Sequence, residues 1–204
     1  NLNLKNFNTK KVKNMEFMFG FLEDIEDLDL SGFDTSSVTN YDSMFLSCSS
    51  LKKIDISKFR THNAINLSGL FLSCISLTSI DISLFDVSNA KDLSYMFKEC
   101  KALESIDFSR FNTDNAEDIS YMFQGCISLK ELDLSSFNTE NVKYMKSVFY
   151  GCTSLTSINL SSFNTQNVLN TDMMFYECTS LLSLDVSNFD TSHITVMSSM
   201  FFEL

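Results

Sequence analysis

Acidic and hydroxyl side chains recur at fixed positions in this chain, and they are the groups with which it could bind a partner. Aspartate occupies one position at intervals that are multiples of 26 residues, and serine follows two residues later. These aspartates, which we call the Asp ladder, are Asp29, Asp55, Asp81, Asp107, Asp133 and Asp185. Lys53 and Glu131 lie two residues before Asp55 and Asp133, so on a strand they share the same face. We predict that these residues form the binding surface.

Two interpretations of the Asp ladder remain open at this point. Carboxylates on neighbouring strands about 5 Å apart repel each other, so something must offset the repulsion. In the structural interpretation, each carboxylate accepts hydrogen bonds from serine hydroxyls or turn amides. In the functional interpretation, the row binds a basic partner or calcium, because hard cations prefer carboxylate oxygens.

The sequence lacks the patterns that most catalytic and metal sites require. It has no Gly-rich phosphate loop, no His-bearing metal motif and no nucleophile elbow. Its two histidines, His62 and His193, lie in separate repeats. Aspartate and serine recur in nearly every repeat, whereas catalysis needs one distinctive place. We therefore predict a protein that is not an enzyme and has no catalytic residues, no metal and no required cofactor.

Composition narrows the choice of partners. The net charge of −11 argues against nucleic acids and anionic membrane surfaces as partners. No segment approaches the roughly 18 apolar residues of a membrane-spanning helix, so we expect no direct membrane insertion. The chain begins at Asn1 rather than Met, which favours a processed product or a fragment.

A repeat of 26 residues is the element that must position these groups. A fixed period of this length is typical of a solenoid, in which each unit stacks on the next. The repeat runs through the chain without insertion or deletion, so we predict a single domain over residues 1–204. The units begin at Leu2, Leu28, Ile54, Ile80, Ile106, Leu132, Ile158 and Leu184.

Each unit contains two apolar patterns. The first has the L-x-x-L-x-L spacing of a short strand and comprises, in unit six, Leu129, Leu132 and Leu134. The second has the spacing of one helical stripe and comprises Val142, Met145, Val148, Phe149 and Cys152. Phenylalanine recurs between the two patterns, as Phe137 in unit six, and within the second pattern, as Phe149. We expect it to fill the space between a sheet layer and a helix layer.

Cysteine stands at one position of the repeat in six units, and leucine replaces it in the first and last units. This replacement favours buried free thiols at an apolar site, although disulfides between adjacent coils remain an alternative. A second set of residues lies at the margin of the predicted helical stripe. These residues, which either border the core or form a partner-binding patch, are Phe17, Tyr95, Tyr121, Met173, Leu46, Leu72, Tyr150, Tyr176 and Phe202.

Two stretches carry a family resemblance: FDTSSVTNYDSMFLSCSSL at 33–51 and FNTENVKYMKSVFYGCTSL at 137–155. They resemble the BspA-like leucine-rich repeats, in the variant found in large bacterial surface proteins and mycoplasma-type lipoproteins. The resemblance implies an α/β leucine-rich-repeat solenoid, with eight strand–helix coils and one parallel β-sheet. It also implies an extracellular or cell-surface location, with adhesion as the usual role.

Three functions follow as expectations. The first is a non-catalytic binding module that presents its strand face to a protein or glycan partner. The second is a structural spacer or self-assembling stalk without a ligand, and the third is a repeat arm of a larger surface enzyme. Neither end of the repeat array carries an obvious polar cap, so we also predict end-to-end self-association.

Overall fold

The computed structural model describes residues 2–204, which form a stack of parallel 26-residue coils. Isolated parallel bridges join one position of each coil to the same position of the next. The bridged residues are Asn14, Asn40, Asn66, Asp92, Asp118, Tyr144, Asn170 and Val196. Equivalent positions therefore lie above one another along the whole array, as the 26-residue period predicts.

The strand side of the coils is less regular than predicted. Within residues 2–204 only two strands form, β1 at Glu131–Asp133 and β2 at Ser157–Asn159, paired in parallel with Leu132 opposite Ile158. The prediction of one sheet with eight strands is therefore wrong. Each extended segment is short because a turn follows it directly. In coil six, the Phe137 N–H closes this turn by donating to the Leu134 carbonyl oxygen (2.9 Å). We call residues 132–134 and their equivalents in the other coils the strand wall.

The segments predicted to be helical are runs of overlapping turns, and residues 2–204 contain no helix. In coil two, N–H groups donate to carbonyl oxygens three residues earlier, from Met44 to Tyr41 at 3.1 Å and from Cys48 to Phe45 at 3.2 Å. The φ angles of Ser43 and Ser47, +52° and +56°, are those of the third residue of a type II turn. The prediction of strand–helix coils is therefore not confirmed. We call residues 40–48 and their equivalents the turn wall.

Bonds between coils explain why turns replace the helix. The N–H groups of Tyr41, Phe45 and Ser47 donate to carbonyl oxygens of the next coil at 2.8–3.0 Å. A helix would direct these N–H groups to carbonyls four residues earlier in the same segment. The turn backbone instead divides its donors between its own coil and the neighbouring coil. Since no helix forms in the described residues, none is long and apolar enough to cross a membrane.

A continuous aromatic core lies between the two walls. Rings of the turn wall stack from coil to coil, with centroids 5.4–6.0 Å apart and interplanar angles of 2–16°. The stack consists of Phe19, Phe45, Phe71, Phe97, Phe123, Phe149, Phe175 and Phe201. Phe108 of the strand wall meets Phe123 edge-on at 5.5 Å, so the walls enclose the core from opposite sides. The predicted aromatic interior is thus confirmed.

Candidate functional site

All six members of the Asp ladder are exposed on the strand wall. Each accepts a hydrogen bond on Oδ1 from the backbone N–H of the serine two residues later, at 2.8–3.0 Å. In the first of these pairs the Ser31 hydroxyl also donates to Asp29, at 2.6 Å. The structure therefore supplies the local donors that the structural interpretation requires.

These hydrogen bonds determine the charge state of the ladder. Bonds from the following serine lower the pKa of every ladder carboxyl and are the largest influences on it. The neighbouring Asp55 acts to raise the pKa of Asp29, but this repulsion is smaller than the effect of the bonds from Ser31. The carboxylates are therefore ionised at neutral pH. The serine N–H bonds all end on Oδ1, so Oδ2 of each carboxylate accepts none of them.

Shallow grooves run between neighbouring coils along the strand wall. One has a volume of about 310 Å³ and brings Asp107, Ser109, Asp133 and Ser135 to one surface. A similar groove of about 290 Å³ includes Asp185. Each groove is open, and its lining combines carboxylates and hydroxyls with apolar residues such as Ile106 and Leu160.

The other two predicted site residues flank the ladder. Lys53 and Glu131 are both exposed, and Glu131 opens β1 two residues before Asp133. They make the charge along the strand wall uneven, with a cation two residues before Asp55 and an additional anion two residues before Asp133.

The described part of the chain contains no preassembled set of metal-binding side chains. Within residues 2–204, no group of three or more His, Cys, Asp or Glu side chains is placed to hold a metal ion. Each ladder carboxylate instead bonds the turn of its own coil. Calcium at the Asp ladder stays a prediction.

A second site lies on the turn wall, where sequence reasoning left the choice between core margin and binding patch. The Tyr95 and Tyr121 rings stack with centroids 4.7 Å apart and an interplanar angle of 10°. Beside them is an open surface pocket of about 240 Å³, which we call the tyrosine cavity. It is lined by Tyr95, Asp118, Ser120, Tyr121, Tyr144, Lys146 and Asn170. Tyr144 and Lys146 were missed, although both depart from the residues that other coils carry at these positions.

Stacked parallel coils with inward apolar rows are the architecture of a solenoid, the class that includes the leucine-rich-repeat proteins. A leucine-rich repeat protein from Eubacterium ventriosum has a similar structure, with a TM-score of 0.52 and 22% sequence identity over 87% of this chain. This chain spans 45% of the Eubacterium protein. The leucine-rich repeat protein of T. pallidum is 23% identical, with a TM-score of 0.41. The match covers 87% of this chain and 64% of the T. pallidum chain.

The family follows from the sequence comparison. The chain belongs to the family described as Mycoplasma protein of unknown function, DUF285, which matches residues 1–106 and again residues 91–204. Together with the structural similarity to the Eubacterium protein, this confirms the resemblance to bacterial leucine-rich-repeat proteins. Comparison with curated proteins finds no match.

Proposed function

We propose that this chain is a non-catalytic binding module of a bacterial cell-surface protein, and that its strand wall holds a protein or glycan partner. One observation carries the proposal: six exposed carboxylates repeat in register, each with one oxygen held by its own coil. Acceptors that are already ordered lose little conformational freedom on binding. The row can therefore act as a rigid array of contacts.

The charge of the chain favours a cationic segment of a protein as the partner. A net charge of −11 attracts such a segment over distance, and the exposed ladder then supplies the short-range contacts. Lys53 repels a lysine or arginine side chain of the partner, whereas Glu131 attracts one. The two residues therefore favour one alignment of the cationic segment along the strand wall. A glycan would instead donate hydrogen bonds from its hydroxyls to the same oxygens, and its binding would depend less on salt.

The alternative is a spacer or self-assembling stalk without a ligand. It is favoured by the finding that each ladder carboxylate already stabilises a turn of its own coil. End-to-end association belongs to this alternative, and exposed apolar side chains such as Phe7 in the first coil and Phe201 in the last would be covered by it. A concentration-dependent mass in light scattering would support stalk assembly, and a constant monomer mass would contradict it.

Charge-removing variants separate the binding module from the spacer. Asp55→Asn/Asp81→Asn/Asp107→Asn keeps the Oδ1 acceptor of each turn but removes three charges from the strand wall. The matched control is Asp34→Asn/Asp86→Asn/Asp190→Asn, because these aspartates bond the serine two residues later in the same way but lie outside the strand wall. Fluorescence anisotropy with a labelled oligolysine peptide measures binding at low and high salt.

The two variants are expected to differ in their affinity for oligolysine. The ladder variant should bind oligolysine several-fold more weakly than the parent, while the control should bind nearly as well. If both variants bound oligolysine equally weakly, binding would depend only on the net charge of the chain, and the proposal would be wrong. Thermal melting of each variant checks that the fold is unchanged.

A further inference from the structure

The turn wall breaks its own pattern in coil six. In most coils, Asn or Asp at the bridge position accepts a hydrogen bond from the N–H two residues later, as in the 2.7 Å bond from Ser120 to Asp118. The residues that make this bond are Asn14, Asn40, Asn66, Asp92, Asp118 and Asn170. The bond is missing in two coils: coil eight has Val196 at this position, and coil six has Tyr144, with Lys146 two residues later. A local stabilising feature is thus replaced by an aromatic side chain that is 44% exposed. Such departures from a local rule are expected at functional positions.

A second departure lies in coils four and five. Tyr95 and Tyr121 occupy a position where the other coils have Phe17, Ser43, Gly69, Ser147, Met173 and Ser199. The Lys98 ammonium lies 5.4 Å from the centroid of each tyrosine ring, which is a favourable cation–π distance. The two rings are therefore held in place while remaining partly exposed.

Both departures converge on the tyrosine cavity. Its aromatic part comes from Tyr95, Tyr121 and Tyr144, and its polar part includes Asp118 and Lys146. Burial raises the pKa of the Asp118 carboxyl, so this acceptor is partly withdrawn from water. The Lys146 ammonium is oriented by Asp172, 3.1 Å from its Oδ2 atom. An aromatic surface beside a fixed acceptor and a fixed donor is the composition of a small-ligand site.

We propose that the tyrosine cavity binds one pyranose unit of a glycan, with Asp118 and Lys146 hydrogen-bonded to sugar hydroxyls. The C–H groups on one face of a pyranose ring carry a small positive charge, which matches the negative face of a tyrosine ring. Its hydroxyls lie around the rim, where a carboxylate can accept hydrogen bonds from them and an ammonium can donate hydrogen bonds to them. A volume of about 240 Å³ suits a single ring. The site lies on the turn wall, so the proposal is independent of the strand-wall function.

Saturation-transfer NMR on the 204-residue chain tests this assignment. The probes are the methyl pyranosides of glucose, galactose, mannose and N-acetylglucosamine. At least one of them should receive saturation at ring C–H protons. Tyr121→Ser and Tyr144→Asn, which introduce the residues of neighbouring coils, should abolish that signal. Asp118→Asn should reduce it and serves as a second variant if Tyr121→Ser does not fold.

A matched aromatic pair provides the control. Tyr150 and Tyr176 stack at 4.8 Å elsewhere on the turn wall, outside the residues that line the tyrosine cavity. Tyr150→Ser should therefore leave saturation transfer unchanged. The assignment would be overturned by no transfer to any of the four sugars, by an undiminished signal in both cavity variants, or by its loss in Tyr150→Ser. Oligolysine binding should not change in Tyr144→Asn, so failure here is distinct from failure of the strand-wall proposal.

Discussion

The Cys126 thiol donates a 3.1 Å hydrogen bond to the carbonyl oxygen of Phe97, which lies in the preceding coil. The same link recurs for all six cysteines, each of which bonds the carbonyl of a phenylalanine 29 residues earlier. The thiols are buried and free. Cysteine therefore fills an apolar position and also joins consecutive coils.

Burial makes the thiols unreactive in the folded chain. It raises the pKa of Cys48 to about 11 and that of Cys178 to about 12, so little thiolate forms at neutral pH. We expect almost no reaction with Ellman's reagent under native conditions and six reactive thiols in guanidinium without reductant. Fewer than six in guanidinium would indicate disulfides.

The same pKa shifts predict a loss of stability at alkaline pH. An unfolded cysteine ionises near pH 8.5, whereas the folded thiols keep their protons to higher pH. Their contribution is therefore complete below about pH 8.5 and is lost progressively as pH rises towards the folded pKa values of about 11 and 12. Urea unfolding at pH 7.5 and 10 should show this decline, and it should be smaller in Cys126→Ala. An identical decline in Cys126→Ala would contradict the assignment to thiols.

Coil four lacks a hydroxyl that other coils use to bond their neighbours. The Thr113 hydroxyl accepts a 2.9 Å bond from the Asn138 N–H and donates a 2.8 Å bond to the Asn138 carbonyl oxygen. Coil four has the buried Val87 at this position, and the residue equivalent to Asn138 is Asn112. Val87→Thr should raise the free energy of unfolding by about 1 kcal/mol in urea, and Thr113→Val should lower it by about 1–3 kcal/mol. A destabilised Val87→Thr would show that coil four has repacked around valine.

The aromatic stack should contribute unevenly along its length. Phe123 is fully buried between Phe97 and Phe149, so Phe123→Ala should cost about 3–5 kcal/mol in chemical denaturation. Phe201 is 49% exposed, and Phe201→Ala should cost less than half as much. Similar losses in the two variants would mean that the last coil is covered in solution.

At turn-wall positions with a positive φ, the free energy of unfolding should depend on whether the residue is glycine. Gly151 has a φ of +70°, and a Cβ added there would approach no atom closer than 3.9 Å. Gly151→Ala should therefore lower the free energy of unfolding by about 1–2 kcal/mol through backbone strain alone. Ser73 has a φ of +60°, and the reciprocal change Ser73→Gly should stabilise the chain. Opposite signs in urea unfolding are expected, and equal signs would contradict this account.

The sequence alone determined the period, the stacking of equivalent positions and which residues form the core. It did so because a side chain that recurs every 26 residues meets its own equivalents in the neighbouring coils. The same reasoning placed the Asp ladder on the exposed face of the strand wall. Local spacing also identified the serines as donors to its carboxylates, since residues two apart can meet through a turn without any distant contact.

Only the tertiary structure decided the backbone of the turn wall and the position of the tyrosine cavity. The apolar spacing of Val142, Met145, Phe149 and Cys152 fits a helix, but it fits consecutive turns equally well. Turns form because alternate N–H groups donate to carbonyl oxygens in the next coil. These bonds between coils cannot be predicted from the local residue pattern. Tyr121 and Tyr144 are 23 residues apart in sequence, and they line one cavity because stacking places their coils side by side.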